Sequence, residues 1–306
     1  MRDADQERTA HGRGSVRPSR RAVAAAAAAL VVGGLAVACE NDPVERALAP
    51  EVCVARTEDG EISLDPEQAA IATTIVAVAI RRGLGHRAVT IALATAEQES
   101  KLRNLDYGDR DSLGVFQQRP SQGWGTEEQI QDPAYATKRF FAALEKVDGW
   151  QEMPLHEAAQ RVQRSAYPRA YADHEPKATL LTTALTGRAG SAGFSCLLRP
   201  SPATTGVGAA RAALRHDWGR RQVSAVSATD GGFVVRLDGS APSRRTLAMS
   251  YWLMARANTL GLGSVRSVGK QWRANDEDHT WRDATADDPR GQVSVRLLPK
   301  PTPTAT

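Results

Sequence analysis

The sequence predicts an N-terminal all-α domain followed by a small C-terminal α+β domain, both carried behind an export segment. Three observations predict this. Apolar residues recur at helical spacing in stretches between Asp65 and Leu185. Period-two alternation appears only beyond residue 208, in Phe233, Val235 and Leu237 and again in Val293, Val295 and Leu297. An uncharged run of 17 residues, Ala22 to Ala38, follows Arg20 and Arg21 near the chain start.

The charge supports the export reading. Residues 1–21 hold six arginines against Asp3, Asp5 and Glu7, a net of +3 out of the chain's +4. Everything from Ala22 onward therefore nets only +1. A nucleic-acid binder carries its excess on the folded part, so nucleic acid is excluded as a partner. The alanine-rich run is short and weakly apolar for a membrane span. It fits the positive leader and apolar centre of a secretory signal. Its end admits three readings. Ala36-Val37-Ala38 is a small-x-small cleavage site. With Cys39 the same residues resemble a degenerate lipobox whose leucine, Leu35, falls one place early, which would lipidate Cys39. Left uncleaved, the run anchors the chain with its arginines inside. Each reading places residues 40–306 outside the cytoplasm, on or beyond the cytoplasmic membrane. A buried alanine-rich core helix is the remaining alternative.

The other cysteines agree with export. Setting Cys39 aside leaves Cys53 and Cys196, an even pair in an oxidising compartment, expected to bond to each other. Closing so long a loop stabilises by about 4 kcal/mol in the chain-entropy model. Two buried free thiols are the alternative. The six histidines are scattered, no Cys/His cluster has metal spacing, and no metal or cofactor is expected.

The elements follow in order. Residues 40–52 read as a stalk. Asp65-Pro66 is an N-cap followed by proline at the first helical position, and the helix it starts runs to Gly83 and Gly85. A second helix covers about His86 to Ser100. A third starts at Asp132-Pro133, with Ala136, Phe140, Leu144 and Val147 on one face. A fourth carries Leu155, Ala158, Ala159 and Val162, and a fifth spans about Glu175 to Leu185. Residues 53–198 thus form one helical domain. Residues 199–208, "RPSPATTGVG", are a linker, 209–298 the α+β domain, and 299–306 a Pro/Thr tail. Within the α+β domain residues 244–263 read as one helix and 264–272, "SVRSVGKQW", as a third strand. Trp252, Trp272 and Trp281 offer either a glycan-stacking surface or core packing, the latter favoured. The chain has no internal repeat.

The stretch "ATAEQESKLRNLDYGDRDSLGVFQQRP", residues 94–120, carries the chemistry. Glu97 and Glu99 are two places apart on a helix, about 200° around its axis, so they do not share a face. Glu99 is the last acidic group before the helix ends at Ser100. Partial burial there raises a carboxyl's pKa and keeps the proton an acid catalyst needs. Glu97 reads as a surface or structural carboxylate. "DYGDRDS" reads as a turn built on Asp side chains. Its carboxylates at 106, 109 and 111 do not fall at the alternate positions of an EF-hand.

Glu99-Ser100 followed by Ser112-Leu113-Gly114-Val115-Phe116-Gln117 resembles the signature of soluble lytic transglycosylases and goose-type lysozymes. Gly114 and Gln117 lie fifteen and eighteen places after Glu99. Val115-Phe116 replaces the family's Leu-Met. "AQRVQRSAYPRAY" resembles the later tyrosine motif, with Tyr167-Pro168-Arg169 in place of Tyr-Asn-Gly. The stretch from Cys53 to Cys196 is similar to a group of exported actinobacterial proteins with a lysozyme-like domain. Members are sometimes labelled heavy metal transporters, a label that one apolar segment without a ligand cluster cannot support.

The resemblance implies a lysozyme-like fold for the all-α domain and cleavage of the MurNAc–GlcNAc β-1,4 bond in peptidoglycan glycan strands. Glu99 is then the catalytic acid. Ser100, Gly114, Gln117, Tyr107, Tyr167 and Tyr171 are candidate substrate-binding residues, with Trp124 a further stacking candidate. A lytic transglycosylase needs one carboxyl; a hydrolase needs a second to activate water, for which Asp106, Asp109 and Asp111 are candidates. A non-catalytic wall-binding protein that keeps the groove is the alternative from another class.

Overall fold

The computed structural model describes residues 50–165, 167, 169–202, 206–238, 243–276, 278, 280–285 and 288–299. The basic tail, the alanine-rich signal segment, Cys39, and most of the expected stalk and C-terminal tail lie outside the described residues. Among the described residues no helix is long and apolar enough to cross a membrane.

The first domain is not all-α. Residues after Pro50 open with a hairpin, β1 (Val52–Thr57) and β2 (Gly60–Leu64). Strand β3 (Phe194–Leu197) pairs with the other edge of β1, giving an antiparallel sheet in the order β2-β1-β3. The lysozyme-like all-α expectation is therefore corrected to a mixed α/β arrangement. "TEDGE" makes the hairpin physically reasonable. Thr57 pairs with Gly60 across Glu58 and Asp59, and Gly60 takes φ 136°, open to glycine alone. Cys53 stands directly opposite Cys196 in the β1–β3 register, and the two form the expected disulfide, closing a separation of 143 residues.

Helix α1 (Pro66–Arg82) is the centre of the molecule. The Asp65 carboxylate accepts from the Gln68 backbone N–H at 2.9 Å, and the Gln68 side chain accepts from the Asp65 N–H. This is a capping box with Pro66 in the first turn. Every residue from Ile71 to Ala79 is buried, the mark of a helix covered on all sides. Helix α2 (His86–Ser100), the short α3 (Glu127–Ile130), α4 (Pro133–Leu144), α5 (Leu155–Gln163) and α6 (Glu175–Leu185) follow. Of these, α2, α4 and α6 pack on α1, and α5 packs on α2 and α4.

The C-terminal part begins with a helix, α7 (Val207–Asp217), which takes in the last two residues of the expected linker and was not singled out in the sequence. A six-stranded antiparallel sheet follows in the order β4-β5-β9-β6-β7-β8. The strands are β4 (Val223–Thr229), β5 (Gly232–Leu237), β6 (Leu262–Ser267), β7 (Lys270–Arg273), β8 (Arg282–Asp283) and β9 (Gln292–Leu297). Residues 264–272 are not one strand but the β6–β7 hairpin. Val268 and Gly269, both at positive φ, make its turn. The single helix expected over 244–263 is two, α8 (Ser243–Met254) and α9 (Ala257–Leu260).

Helix α8 lies between the sheet and α1, contacting both. The three tryptophans are packing elements, not a stacking surface. Trp252 and Trp272 are fully buried. Trp272 Nε1 donates to the Cys196 carbonyl and Trp281 Nε1 to the Phe194 carbonyl, each at 2.8 Å. The large sheet is thereby fastened to the backbone of β3.

A polar cluster joins the two parts. Asp217 is buried and accepts from Thr74 Oγ1 at 3.0 Å, Trp252 Nε1 at 2.8 Å and Arg256 at 3.1 Å. Burial alone would raise this carboxyl; hydrogen bonding from His216, the Arg256 charge and the Trp252 indole hold it below its ordinary value. His216 sits between two carboxylates, Asp132 at 2.8 Å and Asp217 at 2.9 Å. Hydrogen bonds to Asp132 and then Asp217 push its pKa up to about 10.

Two outcomes follow from these contacts. Replacing Cys53 and Cys196 together by alanine lowers the unfolding free energy by about 4 kcal/mol, read by denaturant titration. The His216 contribution has a defined pH window. An unfolded histidine titrates near 6.5, so the added stability is complete below about pH 6.5 and is lost as pH climbs through about 10. His216→Ala therefore lowers the melting temperature at pH 6, and the gap to wild type narrows toward pH 10. A gap independent of pH contradicts the assignment.

Candidate active site

Glu99 lies in the last turn of α2, whose C-terminus is shaped by an abrupt reversal. Lys101 and Leu102 both adopt left-handed backbone, φ 56° and 58°, and Leu102 is nevertheless fully buried. Their amides close the helix on the Glu97 and Ala96 carbonyls. Ser100 Oγ bonds both to Ala96 O at 3.0 Å and to the carbonyl of Val115 at 2.8 Å. The end of α2 is therefore locked to a tight turn, residues 113–118, in which Leu113 and Gln118 exchange both backbone hydrogen bonds.

The Glu99 carboxyl is half-buried and meets one strong partner. Tyr171 Oη donates to Glu99 Oε1 at 2.6 Å. Tyr171 is itself fully buried in a short 3-10 turn, Ala170–His174, packed on α2. Burial raises the Glu99 pKa, and hydrogen bonds from Tyr171 and Gln163 pull it partly back, leaving it above the ordinary carboxylate range. Burial, and then the Glu99 charge, push the Tyr171 phenol far above its usual value, so it stays a proton donor. Gln163 sits at the C-terminal end of α5 and also donates to the Phe116 carbonyl at 2.7 Å. It thus couples the carboxyl to the 113–118 turn. Sequence reading missed Gln163. Its one signal is position: it follows Val162, the last buried residue of the α5 stripe, and so stands at the edge of the apolar face.

Glu97 points elsewhere, as the helical spacing requires. It is buried rather than on the surface, and Lys177 lies 2.9 Å from its carboxylate.

The other candidates separate into three groups. Gly114 and Gln117 build the loop. Gly114 takes φ 75°, and a Cβ there would stand 2.7 Å from the Ile130 carbonyl. The Gln117 side-chain amide donates to the Tyr107 carbonyl at 3.2 Å and to the Gly114 carbonyl at 3.3 Å. A Cβ on Gly108 would collide with its Oε1 at 2.0 Å. The amide is turned into the loop and makes no bond to Glu99. Tyr107 and Tyr167 present open rings, 68% and 74% exposed, the two large exposed aromatics among the described residues. The loop aspartates make no organised partner for Glu99. Asp111 accepts from Arg119 Nε at 2.6 Å and from the Ser121 backbone at 2.8 Å. Hydrogen bonding from Ser121, then Arg119, drives its pKa far below the usual range. It is a loop fastener. Asp106 and Asp109 are exposed.

Backbone strain gathers in the same place. Among the described residues, non-glycine positive φ occurs at seven positions, and Lys101, Leu102, Arg110, Gln117 and Arg164 lie in the segments around Glu99. Each costs of order 1–3 kcal/mol and persists only where surrounding contacts enforce it, a pattern typical of functional sites. No group of three or more His, Cys, Asp or Glu side chains among the described residues is placed to hold a metal ion.

No protein-family model matches the chain, and no curated protein matches it.

The raised Glu99 pKa has a stability consequence. The native state favours the protonated carboxyl, so ionisation costs stability above the native pKa and costs nothing below the unfolded one. Glu99→Gln accordingly raises the melting temperature at pH 8, and the gain disappears as pH falls to 4. A variant less stable than wild type at pH 8 contradicts this.

Proposed function

We propose that the chain is an exported enzyme that cleaves the MurNAc–GlcNAc β-1,4 bond of peptidoglycan by lytic transglycosylase chemistry. The observation that carries this reading is the half-buried Glu99 carboxyl, biased toward its protonated form and oriented by the buried Tyr171 hydroxyl. General acids are tuned in this way, by burial against a fixed donor.

Glu99 protonates the glycosidic oxygen as the C1–O bond breaks, freeing the GlcNAc 4-hydroxyl. The carboxylate left behind takes the proton of the muramyl 6-hydroxyl as that oxygen attacks C1. The product is a 1,6-anhydro-muramyl end, water is not consumed, and Glu99 regains its proton. Tyr171 steadies the anionic stage by donating to it. One carboxyl performs both transfers. Among the described residues no loop aspartate is arranged as a partner for Glu99. That favours this route over hydrolysis, which needs a carboxylate to activate water. Asp111 is committed to Arg119 and Ser121, and Asp106 and Asp109 lie in solvent. The exposed rings of Tyr107 and Tyr167 suit stacking on sugar faces. The cross-strand disulfide accords with an oxidising, extracytoplasmic location.

A second reading, a wall-binding protein without catalysis, is favoured by one observation. The Gln117 amide is used inside its own loop and is not offered to a substrate.

Digestion of purified sacculi, followed by mass spectrometry of the soluble products, separates the two. Wild type releases 1,6-anhydro-muropeptides, and Glu99→Gln reduces the rate at least about 100-fold. Ordinary reducing ends would point to hydrolysis. Sedimentation with sacculi and no released product would leave only the binding reading.

A further inference from the structure

A cleft of about 710 Å³ adjoins Glu99 but does not contain it. Gln163 belongs to both. Its side chain bonds to Glu99 and to the Phe116 carbonyl, and it lines the cleft wall. The rest of the cleft is distinguished by charge. Arg139 from α4, Lys146 just after it, Arg161 from α5 and Arg164 just beyond it line the walls, with the half-buried Trp124 indole. No carboxylate lines it.

Among the described residues none of the four cations is in an ion pair, and of their side chains only that of Arg139 makes a hydrogen bond, donating to the Gly123 carbonyl at 3.0 Å. This is not general basicity, because the chain beyond Ala22 nets only +1. Four positive charges are gathered in one cleft while their neighbours elsewhere are neutralised. Arg82 pairs with Glu145 on the same helix end, and Arg119 with Asp111. Arg164 is held at φ 54° as the C-cap of α5, a backbone state that disfavours any side chain. Convergent, uncompensated cations repel one another, and an anionic ligand relieves that repulsion.

We propose that this cleft binds the carboxylates of the peptide arms carried by the glycan strand, and so selects peptide-bearing strands for the Glu99 site. The proposal rests on the peptidoglycan reading above. In an intact strand the muramyl lactyl carboxyl is tied up as the amide that carries the peptide, so the sugar backbone itself offers no charge for four cations to recognise. The muramyl residue at the scissile bond bears a lactyl-linked peptide whose free carboxylates are the nearest anions. Guanidinium groups match carboxylates in fork geometry, so Arg139, Arg161 and Arg164 supply recognition while Lys146 adds a point charge. Trp124 offers an apolar wall for the peptide's methyl and methylene groups.

The test compares intact glycan strands with strands stripped of peptide by an amidase, which keep only one lactyl carboxylate per muramyl residue, using the full chain. The ratio of kcat/KM for intact over stripped strands is expected to exceed ten in wild type. It should fall about tenfold in Arg161→Glu and, independently, in Lys146→Glu, both exposed positions. Equal ratios in wild type and variants overturn the proposal and leave the enzymatic reading intact. A second readout does not need activity. In the Glu99→Gln background, calorimetry should detect a soluble disaccharide-tetrapeptide binding at least tenfold more tightly than the disaccharide alone, with an affinity that falls as salt is raised. Such binding with no cleavage by wild type keeps the cleft assignment and removes the catalytic one. Equal binding of the two ligands, or tighter binding of inorganic phosphate than of the disaccharide-tetrapeptide, overturns the carboxylate assignment.

Discussion

One hydrogen bond organises the account: the Tyr171 hydroxyl donating to the Glu99 carboxyl at 2.6 Å across 72 residues of sequence. A carboxyl at the end of an apolar helix would ordinarily turn to water. Here the buried phenol gives it a reason to stay, and the surrounding burial gives it a reason to keep its proton. The two effects oppose each other in pKa, with burial the larger. That balance leaves a group able both to release a proton and to recover it.

Holding that contact requires the fold on both sides to be fixed. On one side α2 is packed on the central α1 and closed by the left-handed pair Lys101 and Leu102. On the other, Tyr171 sits in a 3-10 turn between α5 and α6, and both helices pack on or near α2. Ser100 and Gln163 are the two cross-ties. Each uses a side chain to bind a carbonyl of the 113–118 turn, Val115 and Phe116 respectively. Arg103 reaches back to Asp65 and to Glu67 at the first turn of α1, so the loop that follows Glu99 is anchored at its root as well. The disulfide joins paired strands at the two ends of the helical segment, and Trp272 and Trp281 tie the large sheet to the same β3 backbone.

Much of this was legible from residues alone. Asp65-Pro66, Asp132-Pro133 and the apolar stripes marked helices because capping and periodicity are local properties. The position of Glu99 in the last turn before a polar loop was legible for the same local reason, whereas the Cys53–Cys196 pairing, 143 residues apart, was legible only by cysteine count and the export context. The small sheet was not. Strand β1 gains its partner β3 from 140 residues away, and its six residues show no clean alternation, with Cys53, Val54 and Ala55 all buried in succession. The β6–β7 hairpin was missed because Val268, a β-branched residue at φ 53°, is an unusual turn former. Within the site, Glu99 was found by type and spacing. Gln163 was not, because a glutamine beside an apolar stripe has no distinguishing sequence signal. In the sequence "DYGDRDS" reads as a turn built on Asp side chains, with its aspartates kept as candidates for a second carboxylate; Asp111 is engaged in fastening its own loop.

The central claim is that Glu99 keeps its proton at higher pH than an ordinary carboxyl. Carbon-detected NMR titration of the side-chain carboxyl, assigned by its loss in Glu99→Gln, measures this directly. The account predicts a midpoint clearly above 4.5, moving higher still in Tyr171→Phe, where the donor that favours the anion is gone. A midpoint at or below 4.5, or one indifferent to the loss of the phenol, would contradict it.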